Sequence, residues 1–227
     1  MAGDERIERG MRTQLTERRR RIDAGEARLG WKLGMSAPAV MEKLGTDAPL
    51  VGFLLEPARV ESGGTVDLAG WGNPRLEPEI AAHIGADLDG DASREDAAAA
   101  IAGLGAAIEL VDLDADATDP EAILAAGIYQ RHVLLGPPRS DVSAADVTAH
   151  ASLNGEEAAA TDDATQATGD PVDLVLHVVR TLAAAGERLR AGEVVICGSV
   201  VPALAVASGD AVEVTLDPLG RLSVLFD

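Results

Sequence analysis

Two glutamates one residue apart, Glu77 and Glu79, stand in the run Asn73-Pro-Arg-Leu-Glu-Pro-Glu-Ile-Ala-Ala. A third, Glu109, interrupts the apolar stretch Ala106-Ala-Ile-Glu-Leu-Val. On a β-strand, side chains two positions apart share a face, so Glu77 and Glu79 would project together, ~7 Å apart along the chain. A carboxylate among alanine, isoleucine, leucine and valine is costly to bury unless a cation meets it. Three carboxylates on strand-like segments suit a hard divalent cation with coordination positions to spare, Mg2+ or Mn2+. The competing reading of Glu77 and Glu79 is a solvated strand face in an acidic chain, which leaves Glu109 unexplained. His83 lies in phase with the pair, but a lone histidine is more often a packed or surface residue, and it is left out of the ligand set.

The elements that must position these groups are mostly short strands. Residues 50–88 carry strand patterns punctuated by Gly and Pro, with Ser62-Gly-Gly-Thr as a turn. Gly30-Trp-Lys-Leu-Gly-Met reads as a short strand bounded by glycines, and Ile108–Leu113 as a buried strand. Val147–Leu153 is a strand followed by the hairpin turn Asn154-Gly155. Val194–Ser199, Ala211–Leu216 and Leu222–Phe226 are further strands. Helices are expected at Ser36–Leu44, capped by Ser36, with Pro38 in its first turn and Gly45 after its end. Others are expected at Arg94–Gly103, at Asp119–Ala126 as a short helix or lid, and at Pro171–Leu189, whose Val172, Val175, Leu176, Val179, Leu182 and Ala183 form one stripe. Residues 4–27 are polar, with Ile7, Met11, Leu15 and Ile22 at roughly helical spacing. The basic run Arg18–Arg21 there is flanked by acidic residues and reads as a solvated helix face. The pattern predicts a mixed, strand-rich α+β fold, with a helical extension over residues 1–29 and a domain over 30–227.

The 227 residues are 47% hydrophobic and 2% aromatic, so the core must be built from Ala, Val, Leu and Ile. There are 17 arginines and only two lysines, Lys32 and Lys43, and the net charge is −19. Such a charge repels nucleic acid and anionic membrane surfaces. The single cysteine, Cys197, provides no disulfide framework and is compatible with a reducing cytoplasm. The charged start lacks the apolar segment of a signal peptide, and no run is long enough for a membrane span.

Gly30-Trp-Lys-Leu-Gly followed by Met41-Glu-Lys-Leu-Gly-Thr-Asp-Ala-Pro resembles the opening of the 2-keto-4-pentenoate hydratase / 4-oxalocrotonate decarboxylase family, within the fumarylacetoacetate hydrolase superfamily. Pro74-Arg-Leu-Glu-Pro-Glu-Ile-Ala resembles its metal motif, and Ala107-Ile-Glu-Leu-Val-Asp its third-ligand strand. Leu153-Asn-Gly-Glu-Glu, the stretch from Leu189 to Ser199 and Ser208-Gly-Asp continue the series in order to the C-terminus. The resemblance implies a mixed β-roll fold, with Mg2+ or Mn2+ held by Glu77, Glu79 and Glu109. It implies that Lys32 faces the bound substrate, that Gly198 and Ser199 border the pocket, and that the subunits form a homo-oligomer, in some members joined to a pathway neighbour. The implied substrates are small unsaturated 2-oxo acids from aromatic catabolism. Such an acid can chelate the ion through its carboxylate and 2-oxo oxygens, and the ion then stabilises an enolate during hydration or decarboxylation. Lys32 would serve as a cation for the substrate carboxylate or, once deprotonated, as a base.

The chain also departs from the family pattern. Leu50, at the substrate-facing position where hydratases carry aspartate, matches the aliphatic residue of the decarboxylases and tilts the reading toward them. Asp112-Leu113-Asp114 replaces Asp-Ser-Arg, removing an arginine that could meet a distal substrate carboxylate. Ala125-Ala126-Gly127 replaces a polar pair, and Tyr129–His132 follow as candidates for reshaping that wall. These losses keep open a non-catalytic accessory role. The superfamily's C–C hydrolases need a histidine on an N-terminal lid, and no histidine precedes His83.

Overall fold

In the computed structural model, residues 4–113 and 117–227 are described; Asp114 lies outside them. The chain runs α1 (Glu5–Asp23), β1 (Arg28–Gly34), α2 (Pro38–Leu44), β2 (Leu50–Leu55), β3 (Gly64–Val66), β4 (Pro74–Ile84), α3 (Arg94–Ala100) and β5 (Ile101–Asp112). It continues α4 (Pro120–Ala125), β6 (Gln130–Leu135), β7 (Thr148–Leu153), β8 (Glu156–Thr161), α5 (Pro171–Ala184), β9 (Val194–Ser199), β10 (Leu204–Ala205), β11 (Ala211–Asp217) and β12 (Gly220–Phe226). This is the expected mixed, strand-rich α+β fold, with an N-terminal helix.

Two sheets make the frame. One has the order β2-β1-β9-β4-β5-β6, with β10 added to β4; the other has the order β3-β12-β11-β7-β8. In the first sheet, β4 and β5 are long antiparallel partners whose register sets Glu77 directly opposite Glu109 and Glu79 opposite Ala107. On the other side of β4, β9 places Ser199 opposite Glu79, and β1 runs parallel to β9 with Lys32 opposite Ile196. Alternation then puts Lys32, Glu77, Glu79 and Glu109 on one face. That face continues below them as Leu54, Ala81, Ala107, Val133 and Ile196, which form a small buried cluster of their own. The opposite face and the second sheet share the main core with the helices.

Helix α1 begins at Asp4, whose side chain accepts the Arg6 backbone N–H at 2.9 Å, and it buries Ile7, Met11 and Leu15. The basic run is not uniformly solvated. Arg18 is only 2% exposed; its guanidinium lies 4.4 Å from the centre of the Trp31 ring and 3.2 Å from Glu193. Arg19, Arg20 and Arg21 keep the expected outward face and pair with Glu187, Glu17 and Glu26.

Three boundaries differ from the sequence reading. Helix α2 is capped by Ala37 without a side-chain bond, not by Ser36, although Gly45 does close it in a left-handed conformation. The alanine run of α3 stops at Ala100, because Ile101 already pairs with Ile84 in the long β4–β5 ladder. Helix α5 ends at Ala184, and Leu189 bridges to Leu88 instead. Helix α4 buries Ile123 and Leu124 and packs on α1; position 10 is a glycine because a Cβ there would lie 2.7 Å from Leu124. Among the described residues no helix is long and apolar enough to cross a membrane.

Candidate metal centre

The register of β4 against β5 gathers Glu77, Glu79 and Glu109 so that one carboxylate oxygen from each lies within 4.8 Å of the others. Two oxygens on opposite sides of one oxygen-ligated divalent ion stand ~4–5 Å apart, so the spacing suits a single ion. Glu79 and Glu109 are both 0% exposed, and Glu79 Oε1 and Glu109 Oε2 are buried with no hydrogen-bond partner. A buried carboxylate oxygen without a donor is costly, and a cation is the partner such an oxygen lacks.

The groups that are bonded are tightly fixed. Glu79 Oε2 accepts the Gly198 backbone N–H at 2.7 Å. That N–H reaches the carboxylate because β9 bulges against β4 at this point and Gly198 takes φ +91°, a conformation a side chain would strain. Lys32, 1% exposed, donates to Glu109 Oε1 and to the Ile128 carbonyl, the latter at 3.1 Å.

Ile128 belongs to an unusual turn. Gly127, Ile128 and Tyr129 have φ of 64°, 53° and 62°, three left-handed residues in a row, one of them β-branched. Each non-glycine residue there costs ~1–2 kcal/mol, so the surrounding packing must hold the turn in place. The packing is visible. The Ile128 side chain fills the space left by two glycines: a Cβ at Gly34 would lie 2.8 Å from its Cγ2, and one at Gly52 would lie 3.2 Å from its Cδ1. Gly52 is the β2 partner of Lys32. The turn therefore sits over the lysine and delivers a carbonyl to it.

Burial dominates the electrostatics. It pushes the Glu79 carboxyl well above the usual carboxylate range, and the neighbouring Glu109 and Glu77 push it further. Burial pushes Glu109 up to about 7, against the opposing pull of the Lys32 ammonium. Glu77 is raised for the same reason. When all three are ionised, three carboxylates against one ammonium leave an excess of two negative charges, which one divalent cation balances.

A cavity of about 680 Å³ opens onto this centre. Lys32, Glu77, Gly198 and Ser199 line it, while Glu79 and Glu109 lie beneath. Leu50 does not line it; the residue is 1% exposed and packs in the main core. Tyr129–His132 do not line it either: Arg131 pairs with Asp112 at 3.0 Å, and His132 stacks on Trp71. The residue from that segment that reaches the cavity is Ile128, which pattern reading missed because nothing in its residue type signals a left-handed turn. His83 stands outside the carboxylate group, against Gly105.

A family model described as fumarylacetoacetate (FAA) hydrolase C-terminal matches residues 32–225. A 2-hydroxyhexa-2,4-dienoate hydratase from Comamonas testosteroni is 32% identical over 221 residues, covering 92% of this chain and 81% of its own length. A 4-oxalocrotonate decarboxylase from a Pseudomonas species is 30% identical over 211 residues, covering 89% and 80%. The solved 4-oxalocrotonate decarboxylase from Pseudomonas putida G7, complexed with magnesium and adipate, matches with a TM-score of 0.87 at 27% identity, covering 94% of this chain and 83% of that one.

Proposed function

The chain belongs to the fumarylacetoacetate hydrolase C-terminal family, and on that footing we propose that it is a divalent-metal-dependent lyase acting on a small unsaturated 2-oxo acid. Residues 30–227 form the catalytic unit in this reading, and α1 (Glu5–Asp23) of the N-terminal extension braces it. Glu77, Glu79 and Glu109 hold the ion, Mg2+ or Mn2+. The observation that carries the reading is the pair of orphaned oxygens, Glu79 Oε1 and Glu109 Oε2, in a group of three carboxylates whose oxygens lie within 4.8 Å of one another. Relatives named as hydratase and decarboxylase support the same reaction class.

The bound ion supplies Lewis acidity to the carboxylate and 2-oxo oxygens of the substrate and so an electron sink at C2. The protein's own groups do the rest. Gly198 N–H holds the Glu79 carboxylate and Lys32 holds that of Glu109. The apolar floor of Ala81, Ala107 and Ile196 keeps water from beneath them, which strengthens every charge interaction above it. The Lys32 ammonium, held by Glu109 and the Ile128 carbonyl at the edge of the cavity, is placed to bind the substrate carboxylate or to exchange a proton with the carbon chain. Ser199 is set by its own bond to the Val201 carbonyl at 2.6 Å and shapes the wall beside the substrate.

The test is ultraviolet-monitored turnover of 2-hydroxypenta-2,4-dienoate and 2-oxo-3-hexenedioate, with Mg2+ and with a chelator. Metal-dependent loss of either conjugated acid is the expected result. Equal rates with and without metal refute the assignment of the carboxylates.

A further inference from the structure

Among the described residues, two charged ones line the cavity, Lys32 and Glu77, and both lie at its metal end. Away from that end the wall is Met35, Pro38, Val40, Leu113, Val201 and Pro202, with small alanines between. The neutral polar groups are few and mostly committed. Ser199 Oγ donates to Val201 O, and Thr161 Oγ1 donates to Asp163 O at 3.0 Å. Gln166, on the segment after β8, is the exposed amide at that wall. Arg75 is one strand position outward from Glu77 on the same face, but it does not line the cavity. Residues 114–116 are Asp-Ala-Asp by sequence and bring no cation.

We infer that the site selects 2-oxo acids whose far end is uncharged and apolar, and disfavours dicarboxylates. This rests on the proposed chelation of the 2-oxo acid head by the metal centre. With the head fixed there, the tail extends along the apolar wall. A second carboxylate would give up its hydration shell for a wall that, among the described residues, offers it no cation, on a chain of net charge −19. A methyl group in the same place gains from the wall. A substrate without a far carboxylate has none to lose there, so of decarboxylation and hydration it admits hydration, the addition or removal of water across a carbon–carbon double bond: the proton of water goes to one carbon, the hydroxyl to the other.

The test compares two unreactive six-carbon acids that differ only at the far end, 2-oxohexanoate and 2-oxoadipate, titrated calorimetrically into the Mg2+-loaded full chain. The inference predicts that 2-oxohexanoate binds at least about tenfold more tightly, a difference of ~1.4 kcal/mol. It also predicts that Gln166→Arg, on an exposed segment, shifts that ratio toward 2-oxoadipate by about tenfold. Equal binding, or tighter binding of 2-oxoadipate by the unaltered protein, overturns the inference and leaves the metal-centre reading standing. An unchanged ratio in Gln166→Arg overturns the placement of the tail. Failure of both acids to bind in the presence of Mg2+ overturns the chelation reading and this inference together.

Discussion

Replacing Glu109 with Gln should stabilise the metal-free protein at neutral and alkaline pH while destroying its metal site. Burial lifts the Glu109 carboxyl from its ordinary 4.5 to about 7 in the folded chain. Below pH ~4.5 the group is protonated whether the chain is folded or unfolded, and it contributes no pH dependence. Between 4.5 and about 7 the folded chain keeps a proton that the unfolded chain has released, so stability falls as pH rises. Above about 7 the deficit is constant. A shift of that size corresponds to a loss on the order of 3 kcal/mol. Glutamine has nearly the shape of the protonated acid and does not titrate, so it removes this slope, and it also relieves the repulsion felt by Glu79. The assay is urea denaturation of both proteins from pH 5 to 8 with a chelator present. The advantage of Glu109→Gln should grow from under about 1 kcal/mol at pH 5 to about 3 kcal/mol at pH 8. Mg2+ at 1,000 times Kd should then reverse the order, because it stabilises the unaltered protein by about 4.1 kcal/mol and the variant not at all. If the unaltered protein is as stable as Glu109→Gln at pH 8 in chelator, the buried carboxylates are not in electrostatic conflict and the argument fails.

Other perturbations separate positioning from stability. Lys32→Met should leave metal affinity intact or improved, since the ammonium no longer competes for Glu109, while turnover falls by about 10²–10⁴; paired metal titration and kinetics check this. Gly198→Ala forces a side chain onto φ +91° with Ser36 Oγ 3.3 Å from the new methyl; it should cost ~1–3 kcal/mol in thermal or urea melts and weaken metal binding through Glu79. Arg18→Met leaves Glu193 buried without its ion pair and should destabilise the fold by ~3 kcal/mol. Turnover per folded molecule should be unchanged in that variant, because Arg18 acts on the back of β1 and not on the cavity.

Much of the centre was legible because its signals are local. The i, i+2 spacing of Glu77 and Glu79 survives in β4, and the apolar neighbours of Glu109 correctly announced its burial. Lys32, one of two lysines and set between glycines, also declared itself. What brings these groups together is not local. The pairing of Glu77 with Glu109 depends on a ladder whose strands lie far apart in sequence, and no pattern within either strand states the register. Arg18 was misread for the same reason: its flanking residues are acidic, but its partner Glu193 is 175 residues away. The helix expected over 94–103 ran too far because alanine favours helix wherever pairing does not intervene, and Ile101 is captured by β4. The left-handed turn at Ile128 runs against residue preference, so only the packed structure reveals it.

At the heart of the proposed function, Glu77, Glu79 and Glu109 together hold one divalent ion on which a 2-oxo acid sits. Electron paramagnetic resonance of Mn2+ titrated into the protein, with and without 2-oxohexanoate, tests it most directly. The account predicts one tight Mn2+ site per chain, lost in Glu109→Ala, with a spectrum that changes when the 2-oxo acid is added. Stoichiometric Mn2+ binding that survives Glu109→Ala, or a spectrum indifferent to the 2-oxo acid, would contradict it.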